Sequence, residues 1–440
     1  MIVPVMMSAF LSNSNGVGDV FVWGSNDNGV LGIGTKATFR KRPFPVALLD
    51  KTSDTGYERL IPKCVHIATK GLHSVAVTPD GEVHTWGVGD EGQLARDVSE
   101  DDEEGPAKPG VVAMPADAGA VIRVAASDGA SFALDEYGTA FASGVFKDDS
   151  ELGLLPGDPY ERVRQMTPLF AKKNTVVTEM SAGNAHVVML AEVGASSGKH
   201  TSKNEVYTVG TGARGQLGRI GERVGARGGA DIKTQLTPGA VRMPRGSGAP
   251  IAVFAGGWHT FVLTETNQII GFGLNNWGQL GVPLEQGVCQ YKPVVIKALS
   301  NKGVVAMACG EHHSLALTKD GDVLSFGRAV YGRLGRPAEV ELHQGDAACP
   351  TPVQVEVGSN KIVTVAAGIS HSAAVSDRGT LFVWGSGEGY MLGRGEDEED
   401  ANEPVAVGTT EAYSKHWDPA TMKVSAFAMG GMHVMAIVSQ

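Results

Sequence analysis

AMGGMHVMAIV (residues 428–438) stands near one end of the chain and VFVWG (residues 20–24) near the other. Each is half of a motif that is whole everywhere between them. The second half of that motif is apolar-x-apolar-x-Gly, a polar turn, then Gly-x-Leu-Gly or a near variant. It occurs seven times, as VFVWGSNDNGVLG (20–32), VHTWGVGDEGQLA (83–95), AFASGVFKDDSELG (140–153), VYTVGTGARGQLG (206–218), IIGFGLNNWGQLG (269–281), VLSFGRAVYGRLG (323–335) and LFVWGSGEGYMLG (381–393). The first half precedes copies two to seven: KGLHSVAV (70–77), SDGASFAL (127–134), AGNAHVVML (182–190), GGWHTFVL (256–263), CGEHHSLAL (309–317) and GISHSAAV (368–375). Apolar residues alternate in both halves, the signature of strands buried on one face. Turn residues such as Pro79-Asp80-Gly81, Lys319-Asp320-Gly321 and Asp377-Arg378-Gly379 join them, so each pair reads as a β-hairpin.

The two unpaired halves complete each other. Sheets repeated radially and closed by pairing the first strand with the last form a β-propeller, which leaves only short, protected edges. The chain is therefore expected to be all-β, a seven-bladed β-propeller of about four strands per blade, closed by its N- and C-terminal strands. A linear solenoid needs capping repeats with a polar outer face, and half-motifs are the opposite of caps. Residues 19–440 are expected to form this single domain, with residues 1–18 a poorly ordered extension.

Composition sets outer bounds. The 440 residues are 42% hydrophobic, enough for a globular core, and no run approaches the roughly 18 apolar residues of a membrane-spanning helix. The 48 acidic and 37 basic residues give a net charge of −11, which argues against a whole-surface grip on nucleic acid and leaves local patches. Cys64, Cys289, Cys309 and Cys349 lie too far apart in sequence for a C-x₂₋₄-C zinc site or a disulfide framework. The N-terminal segment has no positive side chain before Lys36, so a secretory signal is not expected, and the protein reads as cytosolic or nuclear.

Several chemical motifs dissolve on inspection. GVGDEG (87–92) and GTGARG (210–215) match G-x-G-x-x-G, but that fingerprint needs a following helix, and here both sit at equivalent corners of a β repeat. GASSGKHT (194–201) is one residue short of a phosphate loop. The repeat histidines His73, His186, His259, His313, His371 and His433 each belong to a different blade, which favours imidazoles tying a strand to its neighbour over a metal site. No nucleophile with its base is present, so no covalent chemistry, metal or cofactor is expected. The acidic runs 99–104 and 396–400 read as solvated loops.

The pattern W/F-G-x₄-G-Q-L-G preceded by G-x-H-S/T resembles the regulator of chromosome condensation family over about residues 19–438. Residues 206–229, 269–281 and 323–336 are similar to the family's exchange factors beyond the generic repeat, and VFKDDSELG (145–153) stands where they carry a hairpin, the β-wedge. The resemblance implies a guanine-nucleotide exchange factor of the nucleus and its chromatin, which binds the small GTPase Ran with one propeller face and promotes GDP release. It implies no membrane partner and no small-molecule substrate.

The positions it implies for GTPase binding and exchange are Asp27, His73, Asp128, Arg219, His312 or His313, and His433, with Lys147, Asp148 and Asp149 as the wedge tip. Arg223 and Arg227 in the loop 219–233 would meet histone carboxylates of a nucleosome. Two departures stand out: Ala185 occupies a position that is acidic in the family, and residues 1–35 lack the family's basic tail, so tail-mediated DNA contact is not carried over. Alternatives are an exchange-impaired Ran binder, a propeller scaffold with another partner, and the plant ultraviolet-B photoreceptor. The last uses clustered tryptophans, whereas Trp23, Trp86 and Trp384 here read as core.

Overall fold

A computed structural model describes residues 16–49, 57–98, 102, 104–147, 152–158, 160–194, 202–222, 232–336, 347–408, 417–418 and 421–439. In every hairpin the repeat-histidine position lies opposite the repeat glycine: His73 and Gly87, Ala130 and Gly144, His186 and Gly210, His259 and Gly273, His313 and Gly327, His371 and Gly385. The seventh pair is His433 and Gly24, from opposite ends of the chain. The glycine is required. Gly273 has φ +110°, and a Cβ on it would lie 2.5 Å from the Trp258 carbonyl oxygen.

Each hairpin gains a strand on either side and becomes a four-stranded antiparallel blade. Blade one is His66–Lys70, His73–Val77, Val83–Gly87 and Gly110–Val111; blade two is Val121–Ala126, Ala130–Asp135, Ala140–Phe146 and Val163–Phe170. Blades three to six repeat this order, opening with Thr175–Ala182, Pro250–Ala255, Val304–Cys309 and Ile362–Ala367. Blade seven takes Lys423–Met429 and His433–Ser439 from the C-terminal end, then Asp19–Ser25 and Phe39–Pro45 from the N-terminal end. Its central register, Asp19 opposite Val438 through Gly24 opposite His433, is the closure expected from the two half-motifs. The opening strands pack side by side around one axis, Lys423–Met429 against His66–Lys70 completing the ring.

The core lies between blades, and polar ties cross it. Trp23, Trp86 and Trp384 are fully buried; their Nε1–H groups donate to Met391, Val30 and Arg333 carbonyls of the preceding blade at 2.9–3.0 Å. The histidines make a second set. Nε2 of His73 reaches Ser131 Oγ (3.0 Å), His186 reaches Thr260 (2.9 Å), His259 reaches Ser314 (2.9 Å), His313 reaches Ser372 (2.7 Å) and His433 reaches Ser74 (2.8 Å). The hydroxyls of Thr260, Ser314 and Ser372 donate onward to Gln216, Gln279 and Arg333 carbonyls, so there Nε2 is the donor, and burial, which lowers the pKa of all three histidines, keeps the imidazoles neutral. Two interfaces lack the tie. Ala130 faces a blade with Val187 in the hydroxyl position, and His371 faces one with Val434, leaving its Nε2 without a partner among the described residues.

The structure revises some expectations. Gly18 bridges to Cys64, and residues 1–15 lie outside the described residues. GVGDEG and GTGARG are loops leading into tight turns. The acidic run 396–400 is held rather than free: Glu396 pairs with Lys41, Asp397 with Arg394 at 2.9 Å, and Asp400 accepts the Gly387 N–H at 3.1 Å. Among the described residues no helix is long and apolar enough to cross a membrane.

Candidate functional site

Because histidine faces glycine at the same end of each hairpin, the loop entering the histidine and the loop leaving the glycine share one face of the ring. The inner loops stitch around the axis by backbone bonds: Asp128 N–H to Asn184 O (3.0 Å), Asn184 N–H to Gly257 O (3.0 Å), Gly257 N–H to Gly310 O (2.9 Å), Glu311 N–H to Gly368 O (3.3 Å) and Gly431 N–H to Gly71 O (3.2 Å). The outer loops are shaped by the motif's buried glutamine. Gln93, Gln216 and Gln279 each accept, through Oε1, the N–H two residues back, from Glu91, Arg214 and Trp277 at 2.9 Å. This staple is why Gly-Gln-Leu recurs.

Charge gathers at the axial mouth. Lys70 ends the opening strand of blade one, one of those that ring the axis, and its charge bears on Asp128, His186, His259 and Cys309 in blades two to five. Burial pushes the Asp128 carboxyl up to about 6; Lys70 opposes this, Glu311 adds to it, and Lys147 opposes it. His312, half-buried, has Nε2 3.9 Å from Glu311 Oε1. Burial lowers its pKa, Glu311 raises it, and Arg328, Arg333 and Arg214 lower it further. Arg214 stacks over Trp258 at 4.7 Å and Arg328 over Trp277 at 4.6 Å, so blades three to five present a cationic, aromatic sector beside the axial mouth.

Blade two departs from this plan. Its third strand runs on and turns back as a hairpin, Val145 opposite Gly153 and Phe146 opposite Leu152. Phe146, Leu152 and Leu154 are buried, which roots the hairpin in the core. Lys147 lies at its exit, its Cβ 3.0 Å from where a Cβ on Gly129 would be, one residue from Asp128.

The residues singled out from sequence therefore separate. Asp128 and His312 lie at the axial mouth, Lys147 stands beside them with its ammonium on Glu91 of blade one, and Asp27 is exposed on the outer loop of blade seven. His73, His313 and His433 are fully buried in the inter-blade ties, so the expectation that they face a partner is corrected: the next blade's strand covers them. Ala185 is also fully enclosed. Arg219 turns inward, its guanidinium donating to Thr208 O (3.3 Å) and to Thr234, Gln235 and Thr237 carbonyls at 2.9–3.3 Å, with burial pulling its pKa down to about 10. It staples the base of the 219–233 loop, as Arg96 staples blade one through Thr85, Gly105 and Lys108 carbonyls. Asp148, Asp149, Arg223 and Arg227 lie outside the described residues. Among the described residues no cluster of three or more His, Cys, Asp or Glu could hold a metal ion.

Lys70, Glu91, Asn184 and Glu311 were not singled out from sequence. Their positions in the repeat were legible, but their shared axis or neighbour was not.

The sequence profile of the RCC1-like domain matches residues 19–436. The chain belongs to the RCC1-like domain family. It is 34% identical over 428 residues to the regulator of chromosome condensation of Xenopus laevis, covering 96% of this chain and 90% of that one. It is 31% identical over 430 residues to the guanine nucleotide exchange factor SRM1 of Saccharomyces cerevisiae, covering 89% and 83%. Among solved structures it is similar to Prp20p of Saccharomyces cerevisiae, described with its binding properties to Gsp1p and histones, at a TM-score of 0.78 and 26% identity over 96% of this chain and 92% of that one.

Proposed function

We propose that this protein is a guanine-nucleotide exchange factor for the small GTPase Ran, acting in the nucleus on chromatin. The observation that carries the reading is the blade-two hairpin, a departure from the repeat rooted in the core and standing beside Asp128 at the axial mouth. Exchange needs no covalent step. A surface that binds the nucleotide-free GTPase more tightly than the loaded one weakens nucleotide binding by the same factor. In this reading the hairpin displaces the phosphate-binding loop, with Asp148 and Asp149 at its tip. Asp128 receives a cationic side chain of the GTPase released when the phosphates leave, a charge-assisted contact that only the nucleotide-free state offers. Asp27 and His312 extend the grip. His73, His313 and His433 act behind it by holding the loops in place. Arg219 supports the loop whose Arg223 and Arg227 contact histones of the nucleosome. The yeast relatives' named exchange activity and histone binding support both halves of the proposal.

Release of labelled GDP from purified Ran, with and without catalytic amounts of the protein, tests this; no acceleration and no binding would remove the Ran assignment. One observation favours a second reading, an exchange-impaired Ran binder: Ala185 places a fully buried methyl group where the family resemblance implies an acid. Tight binding of nucleotide-free Ran without accelerated release would select it, and Ala185→Asp would then raise the release rate.

A further inference from the structure

The wedge is bracketed by two cations, and both sit on one carboxylate of the neighbouring blade. Lys147 follows Phe146, the last residue of the outgoing arm that is paired among the described residues. Arg162 precedes Val163, where the chain re-enters blade two as its outer strand. Lys147 Nζ lies 3.0 Å from Glu91 Oε1, and Arg162 Nε lies 2.9 Å from Glu91 Oε2. The Glu91 side chain is 13% exposed, whereas those of Lys147 and Arg162 are 49% and 53% exposed, so the carboxylate is the seated member and the cations reach to it.

Glu91 is itself fixed. Its N–H donates to buried Gln93, and the next residue, Gly92, lies so close to the blade-two outer strand that a Cβ there would be 2.8 Å from Val163 O. Lys147 has a second anion within influence, Asp128, whose carboxyl it stabilises in the charged form. The ammonium itself is paired with Glu91.

We propose that Glu91 is a positioning residue that anchors the wedge root to blade one and thereby sets the rate of nucleotide release; the proposal rests on the exchange-factor reading above. It acts through Lys147 and Arg162. A wedge that must displace a loop of its partner loses effect if its own root yields, and a Lys147 turned onto Asp128 would close the site meant for the partner's cation. Ion pairs with half-exposed cations contribute little to global stability, so Glu91→Gln should leave the thermal midpoint almost unchanged.

The experiment measures labelled GDP release from Ran by the full chain carrying Glu91→Gln, Lys147→Met, both changes together, or Glu91→Asp. Glu91→Gln is expected to lower the maximal release rate by about tenfold while half-saturation moves less than about threefold. Adding Lys147→Met should cost nothing more, and Glu91→Asp should recover part of the rate. An unchanged maximal rate, a loss confined to half-saturation, or an additive double variant would overturn the proposal. Amide hydrogen exchange provides an arm independent of Ran: Phe146 and Leu152 should exchange at least about tenfold faster in Glu91→Gln, while His259–Thr264 stays as before. Unaltered protection at the hairpin would also overturn the anchor. If the unmodified chain does not release nucleotide, the exchange-factor reading falls, and the link from anchor to release rate falls with it. Accelerated hydrogen exchange would then still place Glu91 at the wedge root.

Discussion

The seam between blades six and seven contains an unmatched half of the inter-blade tie, and Val434→Thr should complete it. Val434 pairs with Trp23 just as Ser74 pairs with Trp86 and Ser372 with Trp384, so a hydroxyl there meets the His371 Nε2–H as its equivalents do. Both side chains are fully buried. The new hydrogen bond contributes about 0.5–1.5 kcal/mol, and satisfying a buried donor recovers desolvation on the order of 1–3 kcal/mol. Against this, exchanging a methyl for a hydroxyl forfeits about 0.8 kcal/mol of apolar burial. The net expectation is a gain of about 1 kcal/mol. In a His371→Ala background the same hydroxyl has no imidazole to accept from and should cost about 1–2 kcal/mol, which makes the coupling between positions 371 and 434 about 2–3 kcal/mol. Urea unfolding of the four chains measures it, read as midpoints at constant m with fluorescence and far-ultraviolet dichroism coinciding. A coupling below about 0.3 kcal/mol would refute the tie, because independent sites add within that margin.

Removing residues 430–440 leaves Asp19–Ser25 without its His433–Ser439 partner and should abolish cooperative unfolding of the whole ring; a sharp transition near the parent midpoint would count against closure as the source of cooperativity. Gly273→Ala, forced to φ +110° with its Cβ 2.5 Å from a carbonyl, should cost at least about 2 kcal/mol by urea denaturation, against a few tenths at an exposed loop glycine. Burial holds His186 and His259 down to about 3, below the unfolded value of about 6.5, so their contribution is present above pH 6.5 and is lost as pH falls toward 3. Glu179 and Asp128, raised by burial to about 7 and 6, oppose this by favouring the folded state as they take up protons. His186→Gln should therefore remove about 2 kcal/mol of the stability lost between pH 7 and pH 5, seen as a flatter midpoint against pH.

Alternation, turn residues and the two half-motifs made the strands, the hairpins and the ring closure legible, because each depends on neighbours within about ten residues or on counting copies. The departure of blade two was legible for a related reason: VFKDDSELG breaks a pattern that the other copies keep. The repeat histidines show where that kind of reading stops. Equivalence of His73, His313 and His433 was plain in sequence, yet whether they meet water depends on the strand laid over them by the next blade, and that strand seals all three. Arg219 likewise looks like a free cation after Gly-Gln-Leu-Gly until the loop end at 234–237 folds its carbonyls onto the guanidinium.

By itself the sequence determined the all-β class, the seven blades and the join between head and tail, since period-two burial and copy number are local properties of the chain. Tertiary structure alone decided that Lys70, Asp128 and Glu311 meet at one axis and that Glu91 of blade one grips both flanks of the blade-two hairpin. Electrostatic contacts of that kind depend on distance in space, and only closure of the ring brings charges more than 200 residues apart to a single mouth.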